Sequence, residues 1–164
     1  MMMLAEFFSR VEDDLLKSGT IIKVYINQEE REVSVEASFD KIIDFHEIQN
    51  LQKKICTSYK LKKAEIIPRY DKSLFGSEFM PNLVEYISEK SPVAMSVLAG
   101  STANVQGDVL KIFLKNNGIQ ALYENGCLEI AKDIIKEQFG INAQIEVVVQ
   151  EETIEEYEKN KEEI

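Results

Sequence analysis

The sequence predicts an α+β protein built as two small lobes, each a short sheet packed by helices. Three observations carry that reading. Runs that alternate apolar and polar residues lie between runs with apolar residues at helical spacing. A stretch rich in turn residues, Pro68–Ser77, falls near the middle of the chain. The 164 residues suit one modest domain or two small ones, and 45% hydrophobic with 29% charged is an ordinary globular balance.

Residues 3–17 read as an amphipathic helix, with Leu4, Phe7, Phe8, Val11, Leu15 and Leu16 on one face, and Ser18-Gly19 as the stop. Two alternating runs follow. Ile22, Val24 and Ile26 point one way, and Val33, Val35 and Ala37 repeat the pattern after a short polar link, so the pair reads as a hairpin with one wet face. Asp44 is placed to cap a helix running to about Ser58. Residues 61–67 read as a third strand that Pro68 stops.

In the second half, residues 79–99 have helical spacing interrupted by Ser91-Pro92, because proline lacks a helix donor and disfavours the helical region before it. Residues 100–107 read as a loop and 109–114 as a strand. Asn116-Asn117-Gly118 turns the chain into a long helix over 119–138, with Gly126 an internal weak point and Gly140 the end. Residues 143–149 form a last, mostly buried strand. The tail, 151–164, has seven Glu against two Lys and so holds −5 of the net charge of −10. The organisation expected is a first lobe over 1–67, a linker over 68–78, a second lobe over 79–149 and an acidic tail or linker from 150 to 164.

The acidic balance, 29 acidic residues against 19 basic, argues against broad binding to a phosphate backbone. Cys56 and Cys127 are too few and too far apart for a disulfide framework, a zinc knuckle or a CxxC motif, and suit buried thiols in a reducing cytoplasm. His46 is the single histidine and reads as a surface or capping residue. Acidic pairs such as Asp13-Asp14 and Glu29-Glu30 are sequence neighbours, whose side chains diverge. The glycines at 100 and 107 do not bracket a GxxxxGK[ST] loop. No catalytic residue, metal ligand or cofactor is therefore expected, and no run approaches the ~20 apolar residues of a membrane span. One local charge feature stands out: Lys53, Lys54, Lys60, Lys62 and Lys63 form a basic edge. Solvation and the helix dipole account for such an edge by themselves. Contact with a partner or with nucleic acid is the functional alternative.

Three strings carry a resemblance that covers nearly the whole chain: FFSRVEDDLLKSGTIIKVYINQEEREVSVEASF, FMPNLVEYISEKSPVAMSVLAGSTANVQGDVLKIFLKNNGIQAL and IIKEQFGINAQIEVVV. With the order of elements, they resemble the N-terminal region of the PolC-type DNA polymerase III alpha subunit of Gram-positive bacteria. In that family the second half is similar to the alpha-binding C-terminal domain of the clamp-loader tau subunit, with a fold like the type II KH domain. The resemblance implies a non-catalytic docking module of the replisome. Its expected partners are the clamp loader, the primosome or other polymerase domains, with weak or no direct contact to nucleic acid and none to membrane. The family's OB, PHP, exonuclease and polymerase regions would follow beyond Ile164, so none of their metal ligands or catalytic aspartates map onto this chain. The competing expectation is a KH-like single-strand nucleic-acid binder. It needs a GxxG loop, and the nearest glycine pairs, Gly100/Gly107 and Gly118/Gly126, are too widely spaced.

Overall fold

The computed structural model describes residues 1–149. The first lobe contains the short helix α1 (Leu4–Phe7), strands β1 (Thr20–Asn27) and β2 (Glu32–Ser38), helix α2 (Phe45–Tyr59) and strand β3 (Lys63–Arg69). The second contains helices α3 (Met80–Lys90) and α4 (Val93–Leu98), strands β4 (Thr102–Gln106) and β5 (Val109–Leu114), helices α5 (Ile119–Glu124) and α6 (Cys127–Phe139), and strand β6 (Gln144–Val149). Each lobe has a three-stranded sheet, ordered β1-β2-β3 and β4-β5-β6. In both, an antiparallel hairpin is followed by a helical crossover and a parallel third strand. The mixed α+β, two-lobed reading of the sequence is what the chain adopts.

Individual elements depart from the sequence reading for identifiable reasons. The helix expected over 3–17 is only Leu4–Phe7, followed by irregular chain and a 3-10 turn at Asp14–Lys17. Its apolar residues are nonetheless inside: Leu4, Phe8, Val11, Leu15 and Leu16 are buried. Asp13 explains the restart, because its carboxylate accepts the Leu15 N–H at 3.0 Å, an N-cap inside the expected helix. Gly19 then lets the chain pass Leu4 and Phe39, where a Cβ would sit 2.5 Å from Leu4 Cδ1.

β1 does not alternate evenly. Ile21 pairs with Ala37 and Lys23 with Glu36, so Ile22 is an extra, bulged residue. Ile22 is 57% exposed and Ile26 62% exposed, whereas Ile21 and Val24 are partly covered.

Pro68 does not stop β3, which runs to Arg69 and pairs in parallel with β2. The strand lies at an edge. The Ile66 N–H points away from β2 and donates to Gln52 Oε1 at 2.8 Å. Pro68, two residues on, faces the same side, so its missing N–H removes no ladder bond.

In the second lobe, Ser91 turns extended and Pro92 opens the short α4, so the proline break separates two helices. The loop expected over 100–107 contains β4. The helix expected over 119–138 is two helices, because Gly126 adopts φ +67° between them. That backbone region suits glycine and strains other residues.

Both lobes feed one continuous core, which includes Ile48, Leu51 and Ile55 of α2, Leu83 and Ile87 of α3, and Ile135 and Phe139 of α6. The chain between β3 and α3 contributes Tyr70, Phe75 and Phe79 to that core. Phe139 gathers Tyr70, Phe75 and Phe79, with ring centroids 4.8–5.2 Å away. Polar contacts fix the register. Asn82, 5% exposed, accepts the Phe45 N–H through Oδ1 at 2.9 Å and donates to the Ile43 carbonyl through Nδ2 at 2.8 Å. The Tyr70 hydroxyl accepts the Ile43 N–H at 3.1 Å. The Tyr70 N–H donates to the Gln138 carbonyl at 2.8 Å.

Two substitutions test this arrangement. Gly126→Ala should destabilise the protein by about 1–2 kcal/mol, since alanine must adopt a left-handed backbone. In a continuous helix the same change would stabilise, so the sign of the shift in a urea unfolding midpoint decides. Asn82→Leu should cost about 2–4 kcal/mol, because two buried backbone groups lose their partner. An unchanged midpoint would show that the Asn82 bridge is not needed.

Candidate interaction surfaces

The five lysines of the expected basic edge do not form one unpaired patch. Lys53 and Lys54 lie within α2, Lys60 follows its last turn, and Lys62 and Lys63 lead into β3. Lys54 Nζ is 3.0 Å from Asp13, Lys62 Nζ 3.5 Å from Glu30, and Lys63 Nζ 3.8 Å from Glu65. Lys60 adopts φ +55° and closes α2, with the Leu61 N–H returning to the Cys56 carbonyl at 3.0 Å. That is a Schellman-type closure on a non-glycine residue.

The groups with reactive potential are dispersed. His46 is largely exposed, and its Nε2 lies 3.4 Å from Glu85 of α3. Cys127 is buried, its Sγ 3.6 Å from Ser91 Oγ, while Cys56 is half-buried on α2. Among the described residues no cluster of His, Cys, Asp or Glu could hold a metal ion. No helix among them is long and apolar enough to cross a membrane.

Two other features stand out. The first is the outer edge of β1. Met3 pairs with Thr20, and the Met2 carbonyl accepts the Ile21 N–H at 2.8 Å, so only the start of that edge is covered. The stretch with Ile22, Tyr25 and Ile26 is exposed. The second is a cleft of about 500 Å³ at the junction of the lobes, walled by α2, β3, α3 and α6.

Charge in that cleft is unevenly compensated. Burial raises the pKa of Glu137 first, then the charge of Glu65, against Lys90 and Arg69. Glu89 is raised in the same order of causes, by burial and then Glu65, although Gln49 Nε2 hydrogen-bonds its carboxylate at 3.0 Å. Arg69 is engaged beside the cleft, donating to the Glu137 carbonyl and to the Glu36 carboxylate. Sequence reading missed this cleft, because Glu65, Glu89 and Glu137 are far apart along the chain and each looks like an ordinary surface acid.

Comparison with known families settles the chain's kinship. Residues 80–164 match the family described as DNA polymerase III polC-type N-terminus II. Residues 6–67 match DNA polymerase III polC-type N-terminus I. The chain belongs to the PolC-type DNA polymerase III N-terminal family. No curated protein matches it individually. The two polC-type regions correspond to the two sheet-bearing parts of the fold, and the junction cleft takes walls from both. Both families are named for the N-terminus of a replicative DNA polymerase, which sets the chain among proteins of DNA replication.

The cleft makes a pH prediction. A carboxyl group whose folded pKa is raised weakens the fold when ionised. The penalty is full above the folded pKa. It is relieved as pH falls through that value toward the ordinary 4.5. Glu137→Gln should therefore raise the urea midpoint at pH 7.5, and the gain should shrink toward pH 4.5. A gain that is constant across this range would assign the effect to something other than ionisation.

Proposed function

We propose that this chain is a non-catalytic docking module of a PolC-type replicative polymerase, which binds another replisome protein in the cytoplasm during DNA replication. The observation that supports this most is that both polC-type N-terminal regions are present and packed against each other through one core. That arrangement provides composite surfaces that neither region has alone. The partner classes are the clamp loader, the primosome or the polymerase's own later domains. A KH-like second lobe related to the alpha-binding domain of the tau subunit is part of this reading. So are the boundaries 1–67, 68–78 and 79–149. The expected acidic tail, 150–164, lies outside the described residues and would lead toward the OB and catalytic regions.

The alternative, a KH-like single-strand binder, finds less support. The connection between α5 and α6 is only Asn125-Gly126, with no GxxG. The Lys53, Lys54, Lys60, Lys62 and Lys63 edge remains its candidate contact.

The test is capture of partners on the tagged chain from lysate of its host, with and without nuclease, identified by mass spectrometry. Clamp-loader, primosome or polymerase subunits should be recovered in both conditions. Recovery that disappears with nuclease would replace this reading with nucleic-acid binding. A Lys60→Glu/Lys62→Glu/Lys63→Glu variant adds a second readout. Unchanged capture and unchanged single-stranded DNA affinity would remove the lysine edge from the contact surface.

A further inference from the structure

The outer edge of β1 leaves identifiable backbone groups free. The Gly19 carbonyl and the Ile21 N–H point outward, meeting the Leu4 N–H at 3.0 Å and the Met2 carbonyl at 2.8 Å. Hydrogen-bonding groups alternate sides along a strand, so Thr20 turns inward to its partner Ser38 on β2. β2 alternates without interruption. Ser38, Glu36 and Ser34 face β1, and on the opposite side the Phe39 N–H donates to the Arg69 carbonyl of β3 at 3.1 Å. Lys23 and Tyr25, the partners of Glu36 and Ser34, therefore turn their backbone groups toward β2, the bulge at Ile22 absorbing the change of phase. Val24 and Ile26 are left with N–H and C=O directed outward, one residue to either side of Tyr25.

Side chains and charge mark the same strip. Met2, Ile22, Tyr25 and Ile26 are exposed along this edge, and apolar side chains grouped in this way indicate an interaction surface. From Thr20 to Gln28 the single charge is Lys23, whose Nζ lies 4.8 Å from the Tyr25 ring centroid. The whole chain carries −10. Two copies of so acidic a protein repel over most of their surface, and a strip without acids is a place where they can meet.

Symmetry selects the occupant. A two-fold contact needs a surface that complements itself when reversed. With β1 antiparallel to its copy and the axis at Tyr25, Val24 lies opposite the second copy's Ile26, and Ile26 opposite the second copy's Val24. All the outward groups of Val24 and Ile26 then find partners. Lys23 lies opposite Asn27, so no like charges are directly opposed. The two Tyr25 side chains meet as a non-hydrogen-bonded pair, where side chains come closest. An axis at Val24 sets Ile26 against the bulged Ile22, and an axis at Ile26 carries Val24 past the end of the strand.

We propose that β1 is the interface of a two-fold dimer of this chain, pairing antiparallel with its copy about Tyr25 and joining the two first-lobe sheets in the order β3-β2-β1-β1-β2-β3. This inference does not rest on the docking reading. The paired stretch is short, so the dimer should be weak and concentration-dependent.

The experiment is sedimentation velocity on the 164-residue chain from about 5 to about 500 μM. The wild type should pass from monomer to dimer. Tyr25→Lys sets two cations opposite each other at the axis and should weaken the dimer about tenfold or more. Val24→Pro removes an outward donor without touching the ladder to β2 and should act in the same direction. Tyr123→Lys, at an exposed tyrosine of α5, should change the dimer less than about twofold. Register is read by oxidation. Cα atoms of a non-hydrogen-bonded pair are ~4.5 Å apart, within disulfide range, so Tyr25→Cys should crosslink into a covalent dimer. Ile26→Cys should not, because Ile26 faces Val24, and the wild type with Cys56 and Cys127 gives the baseline. Should the lysine or proline variant fold poorly, the wild-type concentration series and the two cysteine variants decide. A wild type that stays monomeric at every concentration overturns the proposal and leaves the edge to a strand of another protein. A dimer that Tyr25→Lys leaves intact, or crosslinking of Ile26→Cys as fast as that of Tyr25→Cys, also overturns it.

Discussion

The structure depends on backbone groups in one lobe that only the other lobe can satisfy. The Ile43 carbonyl and the Phe45 N–H are buried where the chain enters α2, and both are met by the Asn82 side chain from α3. The Tyr70 N–H, at the end of β3, is met by the Gln138 carbonyl at the end of α6. Buried backbone groups without partners are costly. The lobes therefore cannot slide or separate without exposing or orphaning them. The aromatic cluster around Phe139 supplies apolar burial at the same place, and the hydrogen bonds decide which orientation that burial takes. The cleft lies between the elements that these contacts hold together, with walls from α2, β3, α3 and α6.

Much of this fold was legible in the sequence. Ser91-Pro92 marked a real break because proline's geometry is local and needs no tertiary context. The α2 helix was legible from its cap at Asp44 and its apolar spacing. Where the reading failed, tertiary contacts overrode local pattern. Leu4, Phe8, Val11 and Leu15 have helical spacing and are buried, but they reach the core from irregular chain. The pattern reported burial correctly and conformation wrongly. β4 was hidden because its inward residues, Ala103 and Val105, are few and its flanking glycines resemble turn residues. Pro68 looked like a terminator because its effect depends on which side of the strand is free, and only the sheet order shows that.

The surfaces were less legible than the fold. A run of lysines is visible in any sequence, yet its meaning depends on carboxylates brought from elsewhere, such as Asp13 beside Lys54 and Glu30 beside Lys62. Conversely, Glu65, Glu89 and Glu137 have no sequence signature, and meet only because β3, α3 and α6 do. A docking module is the hardest function to read from residues alone, since its chemistry is generic and only its placement is specific.

The dependence of β3 on α6 also has a consequence for synthesis. A chain made from its N-terminus completes the strands of the first sheet at Arg69, but the carbonyl that receives the Tyr70 N–H belongs to Gln138. At ~5–20 residues per second, the intervening stretch takes on the order of several seconds to emerge. During that interval the nascent first lobe carries an open edge and, until Asn82 appears, two unmet groups at the start of α2. Gln52, already present on α2, closes part of that edge from within the lobe. Pro68 leaves another position with no donor to offer a passing strand. Gln52 and Pro68 thus shield the strand while the ribosome is still at work.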